Sequence, residues 1–209
     1  MPADFLHNHL EFPELIRIVA QQKGIDPALV EKDYWIMHCL YGLQQLGLTF
    51  ELKGGTSLSK GYQIINRFSE DIDIRIEPPA ERKVATGRNQ TSDAQVKSRK
   101  DFYDWLAQTI KIDGIERVER DTAFDDRLFR SGGIRLFYKT SAKALDALKP
   151  GVLLEAGWAD RERSPYCAER NAELKQSHQT EPRKPNTDTT QVADILRERL
   201  KLSEKFSFK

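Results

Sequence analysis

The stretch Leu52-Lys53-Gly54-Gly55-Thr56-Ser57-Leu58-Ser59-Lys60, continued by Phe68-Ser69-Glu70-Asp71-Ile72-Asp73-Ile74, decides the fold. Thr49 to Lys53 suits a short strand that ends at two glycines, whose missing Cβ opens backbone angles other residues avoid. A helix is expected to start at Thr56 or Ser57. Its first amide N–H groups lack partners within the helix and carry the positive end of its dipole. Gly54, Gly55, Thr56 and Ser57 therefore make a candidate phosphate cradle, with the Ser57 hydroxyl as a further donor and Lys60, one turn on, as a cation.

The second half of the stretch alternates. Ile72, Ile74 and Ile76 fall on one face of a strand; Asp71, Asp73, Arg75 and Glu77 fall on the other. Two carboxylates two residues apart on one face can share divalent cations, whose charge offsets their mutual repulsion. Each signal alone has an ordinary reading: Gly-Gly is commonly a tight turn, and alternating acids commonly line a solvated strand. Their order and spacing change the weight. Loop, helix of about ten residues, turn and return strand bring the helix start and the carboxylates to the same edge of a sheet.

These residues resemble the polymerase-beta-like nucleotidyltransferase superfamily, marked by a Gly-Ser or Gly-Gly turn followed by an acid-x-acid strand. The run Gly54 to Tyr62, continued by Arg67-Phe68-Ser69-Glu70-Asp71-Ile72-Asp73, is similar to the AbiEii/AbiGii toxin family of bacterial abortive-infection and toxin–antitoxin systems, and Glu31-Lys32-Asp33-Tyr34-Trp35 supports the resemblance. It covers about the first three quarters of the chain. The fold so implied is α+β, a nucleotidyltransferase core with a mixed β-sheet packed against helices and preceded by N-terminal helices.

Such enzymes need a third carboxylate. Glu155 is the candidate, because it interrupts the apolar run Val152-Leu153-Leu154-Glu155-Ala156-Gly157-Trp158. On a strand beside Asp71 and Asp73 it would point toward them with Leu153 and Gly157. Otherwise it is a partly buried edge acid. The resemblance further implies Mg²⁺ held by Asp71, Asp73 and Glu155, a nucleoside triphosphate donor, an RNA acceptor such as tRNA, and a cognate antitoxin protein. Transfer onto a small molecule or a protein side chain uses the same metal chemistry. A haloacid-dehalogenase-type phosphatase also uses Asp-x-Asp, but there the acids close an N-terminal strand.

Composition bounds the rest. The 209 residues, 39% of them hydrophobic, suffice for one sizeable core. Lysine plus arginine number 33 against 32 acids, so whole-molecule charge selects neither a nucleic acid nor an acidic partner. Cys39 and Cys167 lie far apart without Cys-x-x-Cys spacing, which speaks against structural zinc or a disulfide framework and suits a reducing compartment. No apolar run approaches a membrane span and no signal-like leader is evident, so a cytoplasmic protein is expected.

Phe5 to Ala20 reads as a first helix, and Asp26 with Pro27 opens a second reaching about Leu46, with Ile36, Met37, Leu40 and Leu43 inward. Tyr34, Trp35, Met37 and His38 read as packing residues. Pro78 to Thr91 reads as an exposed connection. Arg82, Lys83, Arg88, Lys97, Arg99 and Lys100 cluster near it, more as a solvated loop and helix start than as a phosphate track. Val96 to Lys111 is expected as a helix, and Ile115 to Asp121 and Ile134 to Lys139 as strands. Ser131-Gly132-Gly133 is expected as a turn.

The boundary drawn from composition separates a core, residues 1–160, from a polar tail, residues 161–209, partly disordered and closing on a short helix from Val192 to Leu202. The family resemblance implies a longer helical part there, with another lysine and acid, and no convincing match is found. A truncated, catalytically inactive nucleotide- or antitoxin-binding remnant is therefore the alternative to an active transferase.

Overall fold

In a computed structural model, residues 5–58, 69–143, 145–146 and 148–158 are described. The expected tail, with its Val192 to Leu202 helix, and Lys60 and Arg67 lie outside these residues.

Helix α1 spans Phe12–Lys23, not Phe5 to Ala20; Leu6–Asn8 form a separate 3-10 turn. Pro13 is the physical reason. A proline has no N–H to give and its ring excludes the preceding turn, so it is tolerated only where a helix begins. Gly24, with φ of 64°, ends the helix in the left-handed conformation.

Helix α2, Pro27–Gln45, opens as the sequence suggests, with the Asp26 carboxylate accepting from the Ala28 N–H at 2.8 Å. Its buried stripe differs from expectation. Trp35, Ile36, Cys39 and Leu43 face the core, whereas Met37 is 39% exposed and Leu40 half-buried. At 100° per residue, a face set by positions 35, 36, 39 and 43 turns position 37 outward. Glu31 and Lys32 share the buried side, which hydropathy does not foresee.

Among the described residues five strands follow: β1 Thr49–Lys53, β2 Asp71–Glu77, β3 Ile115–Asp121, β4 Ser131–Tyr138 and β5 Val152–Gly157. They form one mixed sheet in the order β1-β2-β5-β4-β3, in which β2 and β5 pair parallel and the other neighbouring strands antiparallel. A short helical turn α3, Gly54–Thr56, follows β1, and helix α4, Asp93–Thr109, follows β2. Helix α4 starts earlier than Val96 because Ser92 and Gln95 form a capping box, a signature present in Ser92-Asp93-Ala94-Gln95.

One face of the sheet packs against α2 and α4. Ile72, Ile74 and Ile76 of β2, Val152, Leu154 and Ala156 of β5, and Ile134 and Leu136 of β4 join Trp35, Ile36, Phe102, Tyr103 and Leu106 in a single core. This is the α+β architecture expected, a mixed sheet with helices packed on it.

The second glycine pair corrects the reading of residues 131–133 as a turn: both glycines lie within β4. A Cβ on Gly132 would fall 2.9 Å from the Tyr103 ring, and one on Gly133 would fall 2.6 Å from the Asp121 carbonyl oxygen. Glycine is required here for close approach in an extended strand, not for a bend.

Among the basic residues clustered near residues 82–100, Arg99 is buried and donates to the carbonyls of Leu128, Ala85 and Gln90 at 2.6–3.0 Å. Lys97 and Lys100 pair with Asp101 and Asp104 one turn on. This arrangement fits a solvated helix and its anchor, the ordinary alternative to a phosphate track.

Candidate functional site

Alternation places Asp71 and Asp73 opposite the three isoleucines of β2, and the half-buried and buried residues alternate accordingly. Parallel pairing then sets β5 beside them in a defined register. Asp71 lies across from Leu153, and Asp73 across from Glu155. Register partners on neighbouring strands point to the same side of the sheet, about 4.8 Å apart at the backbone. Asp71, Asp73 and Glu155 therefore share the face away from the core. Lys53 of β1 pairs with Asp73 and Gly133 of β4 pairs with Glu155, so a lysine flanks the trio on one side, while on the other the space above Gly133 is filled by Asp121 and Phe124.

The glycine hinge meets these acids directly. Gly54 adopts φ of 64°, and any Cβ there would overlap the Asp73 carboxylate. Helical backbone begins at Gly54, two residues before the expected start at Thr56 or Ser57. Thr56 and Ser57 are buried, and the Thr56 hydroxyl donates to the Asp71 carbonyl at 2.5 Å, which ties the turn to the start of β2. Ser69, two residues before the start of β2, has its hydroxyl 3.5 Å from the Asp71 carboxylate.

The three carboxylates are oxygen donors of the kind a hard divalent cation takes. Their backbones are aligned, but among the described residues no group of three or more His, Cys, Asp or Glu side chains is gathered closely enough to hold a metal. The Asp73 carboxylate is turned against Gly54.

A cavity of about 290 Å³ opens at the end of the sheet where β2 and β5 begin, lined by Lys32, Ser69, Glu70, Asp71, Arg135, Lys149 and Leu153. Burial pushes the Lys32 ammonium down to about 8; the Glu70 and Asp71 carboxylates oppose the shift and Arg135 adds to it. Lys32, Arg135 and Lys149 were not singled out as site residues from the sequence. For Lys32 the one signal is helical spacing, four residues before Ile36 on the face that carries Leu40 and Leu43.

Trp35 and His38 pack as expected, whereas Met37 does not. His38 is buried and bonded through Nε2 to the Asp113 carbonyl at 2.8 Å, its pKa lowered by burial. Trp35 stacks on Tyr138, and Cys39 is buried, with burial pushing its thiol up to about 12. Among the described residues, no helix is long and apolar enough to cross a membrane.

A family model described as nucleotidyl transferase AbiEii toxin, Type IV TA system, matches residues 36–198. The match runs through the polar segment that the sequence reading sets apart, and begins just after Glu31-Lys32-Asp33-Tyr34-Trp35. No curated protein and no solved structure matches the chain.

Proposed function

The chain belongs to the nucleotidyl transferase AbiEii toxin family of type IV toxin–antitoxin systems, and from that premise we propose that it moves a nucleotide from a nucleoside triphosphate to an acceptor, RNA such as tRNA foremost. The observation that carries this reading is the register of β2 and β5, which sets Glu155 beside Asp73 with Asp71 two residues away on the same face.

Asp71, Asp73 and Glu155 would hold Mg²⁺, which supplies charge stabilisation at the transferring phosphoryl group and acidifies the attacking hydroxyl. The backbone amides of Gly55 and Thr56 and the Ser57 hydroxyl, beside the open Gly54, would receive the outer phosphates, the Ser57 N–H being engaged with the Gly54 carbonyl, and Lys60 would add a cation. The Thr56 hydroxyl is already engaged with Asp71, so its share in binding is its amide. Lys53, paired in register with Asp73, is a second cation within the same face. In phosphoryl transfer the protein's contribution is chiefly positioning and electrostatics, and both require the acids to be held in a fixed relation to the phosphates. A cognate antitoxin is the partner that the family implies.

The test incubates purified protein with magnesium, each labelled triphosphate and total RNA, beside Asp71→Asn and Asp73→Asn. Label transferred by the native chain and lost in both variants supports the assignment. Equal labelling by all three refutes the site. Nucleotide binding without pyrophosphate release by the native chain establishes the inactive remnant instead.

A further inference from the structure

Two consecutive charges of α2 are almost wholly buried: Glu31 is 1% exposed and Lys32 2%. Neighbours on a helix diverge by 100° and do not face one another, so each must find its own partners or strongly destabilise the fold. Both find them in the connection that leads from β4 to β5. The Glu31 carboxylate accepts from the Thr140 hydroxyl at 2.8 Å, the Ser141 N–H at 2.7 Å and the Ala142 N–H at 3.0 Å. The Lys32 ammonium donates to the Lys149 carbonyl at 2.7 Å and to the Gly151 carbonyl.

The carbonyl between these two is held as well. Arg135 of β4 donates to the Pro150 oxygen at 3.1 Å, while its other nitrogens bond Asp121 at 2.6 and 2.9 Å. Three successive carbonyls at the entrance to β5 are thus held by two cations. Gly151 completes the turn with φ of 66°, where a Cβ would fall 2.5 Å from the Leu136 carbonyl oxygen.

Strand β5 needs such ties. Its apolar residues do not alternate: Val152, Leu153 and Leu154 are all buried. A slip of one residue would drive Glu155 into the core and is excluded by the cost of burying a charge. A slip of two keeps every face and merely sets Leu153 or Gly157 opposite Asp73. Hydropathy offers little against that error.

We propose that Glu31 and Lys32 form a brace which clamps both ends of the β4–β5 connection and so sets the register that brings Glu155 to Asp73. They are positioning residues, acting through the backbone of β5. The functional consequence rests on the metal reading above; the structural one does not.

The test compares Lys32→Met, Glu31→Gln and the conservative Lys32→Arg in the full chain by hydrogen exchange and by Mn²⁺ binding, each also in a Glu155→Gln background. Lys32→Met and Glu31→Gln should speed amide exchange across residues 150–157 by roughly 10-fold or more, leaving α1 unchanged, and Lys32→Arg should restore much of the protection. Lys32→Met should weaken Mn²⁺ binding roughly 10-fold with Glu155 present and add nothing once Glu155 is replaced. Unchanged exchange in β5, or an equal loss of Mn²⁺ affinity in both backgrounds, would overturn the brace. If the native chain takes up no Mn²⁺, the metal reading fails and the exchange arm decides the brace alone.

Discussion

Strands β2 and β5 lie side by side and carry the three acids between them, yet they are set by different means. In β2, buried isoleucines alternate with half-buried Asp71, Asp73 and Arg75, so burial of the apolar set alone decides which face each acid takes. In β5 the first three residues are buried whichever way they point, and the carbonyls at its entrance are held by buried Lys32 and half-buried Arg135. A side chain's facing can be written locally; its register against a neighbour depends on what fixes the strand's end.

The largest expected effect tests whether the two strands nonetheless contribute equally to chemistry. Asp73→Asn and Glu155→Gln should each lower pyrophosphate release by roughly 100-fold or more, while thermal unfolding shows both variants still folded. A full loss in one with near-native turnover in the other would separate the strands functionally and remove the second from the site.

Packing should break the symmetry next. Ile74→Ala hollows a closed core and should cost about 2–5 kcal/mol in denaturant unfolding. Leu153→Ala, whose side chain borders an existing cavity, should cost about 2 kcal/mol or less, because the space is already open on one side. Equal costs would mean that β5 is anchored by its apolar residues after all.

Gly54→Ala probes the hinge that faces β2. A left-handed residue with a Cβ costs about 1–2 kcal/mol, and here the methyl also collides with the Asp73 carboxylate. Activity should therefore fall by more than the stability loss accounts for, measured by turnover against unfolding free energy on the same sample. Loss of stability alone would make Gly54 a turn residue only.

The smallest effect concerns Lys32. Its pKa is lowered from 10.5 to about 8 in the folded chain, mainly by desolvation. Below about 8 both states hold the proton and the cost of burying the charge is fully present. Between about 8 and 10.5 the unfolded chain binds more protons, so native stability rises with pH relative to Lys32→Met. Urea unfolding of the two proteins across this window checks the sign.

Much of this was open to reading in the residues. The Gly54-Gly55 hinge, the Asp71/Asp73 face, the strand at Val152 and the capped start at Asp26 follow from local spacing and chemistry. What was misread shares one cause. Gly132 and Gly133 looked like a bend because glycine permits one, but Tyr103 and Asp121, remote in sequence, press on them and make them strand. Met37 looked inward because hydropathy does not say where the stripe is centred. Glu31 and Lys32 carried no visible role because their partners lie more than a hundred residues away.

By itself, the order of residues determined the alternation that turns Asp71 and Asp73 from the core, while the family resemblance it carries implied the α+β class and proposed Glu155 as the acid to join them. Only the tertiary structure decided that Glu155 stands across from Asp73, that the glycine hinge rests on that same carboxylate, and that buried charges tie down the entrance to β5. The physical reason is range: periodicity and capping act over one or two turns of chain, whereas strand register is settled by hydrogen bonds and burial between segments that the sequence holds far apart.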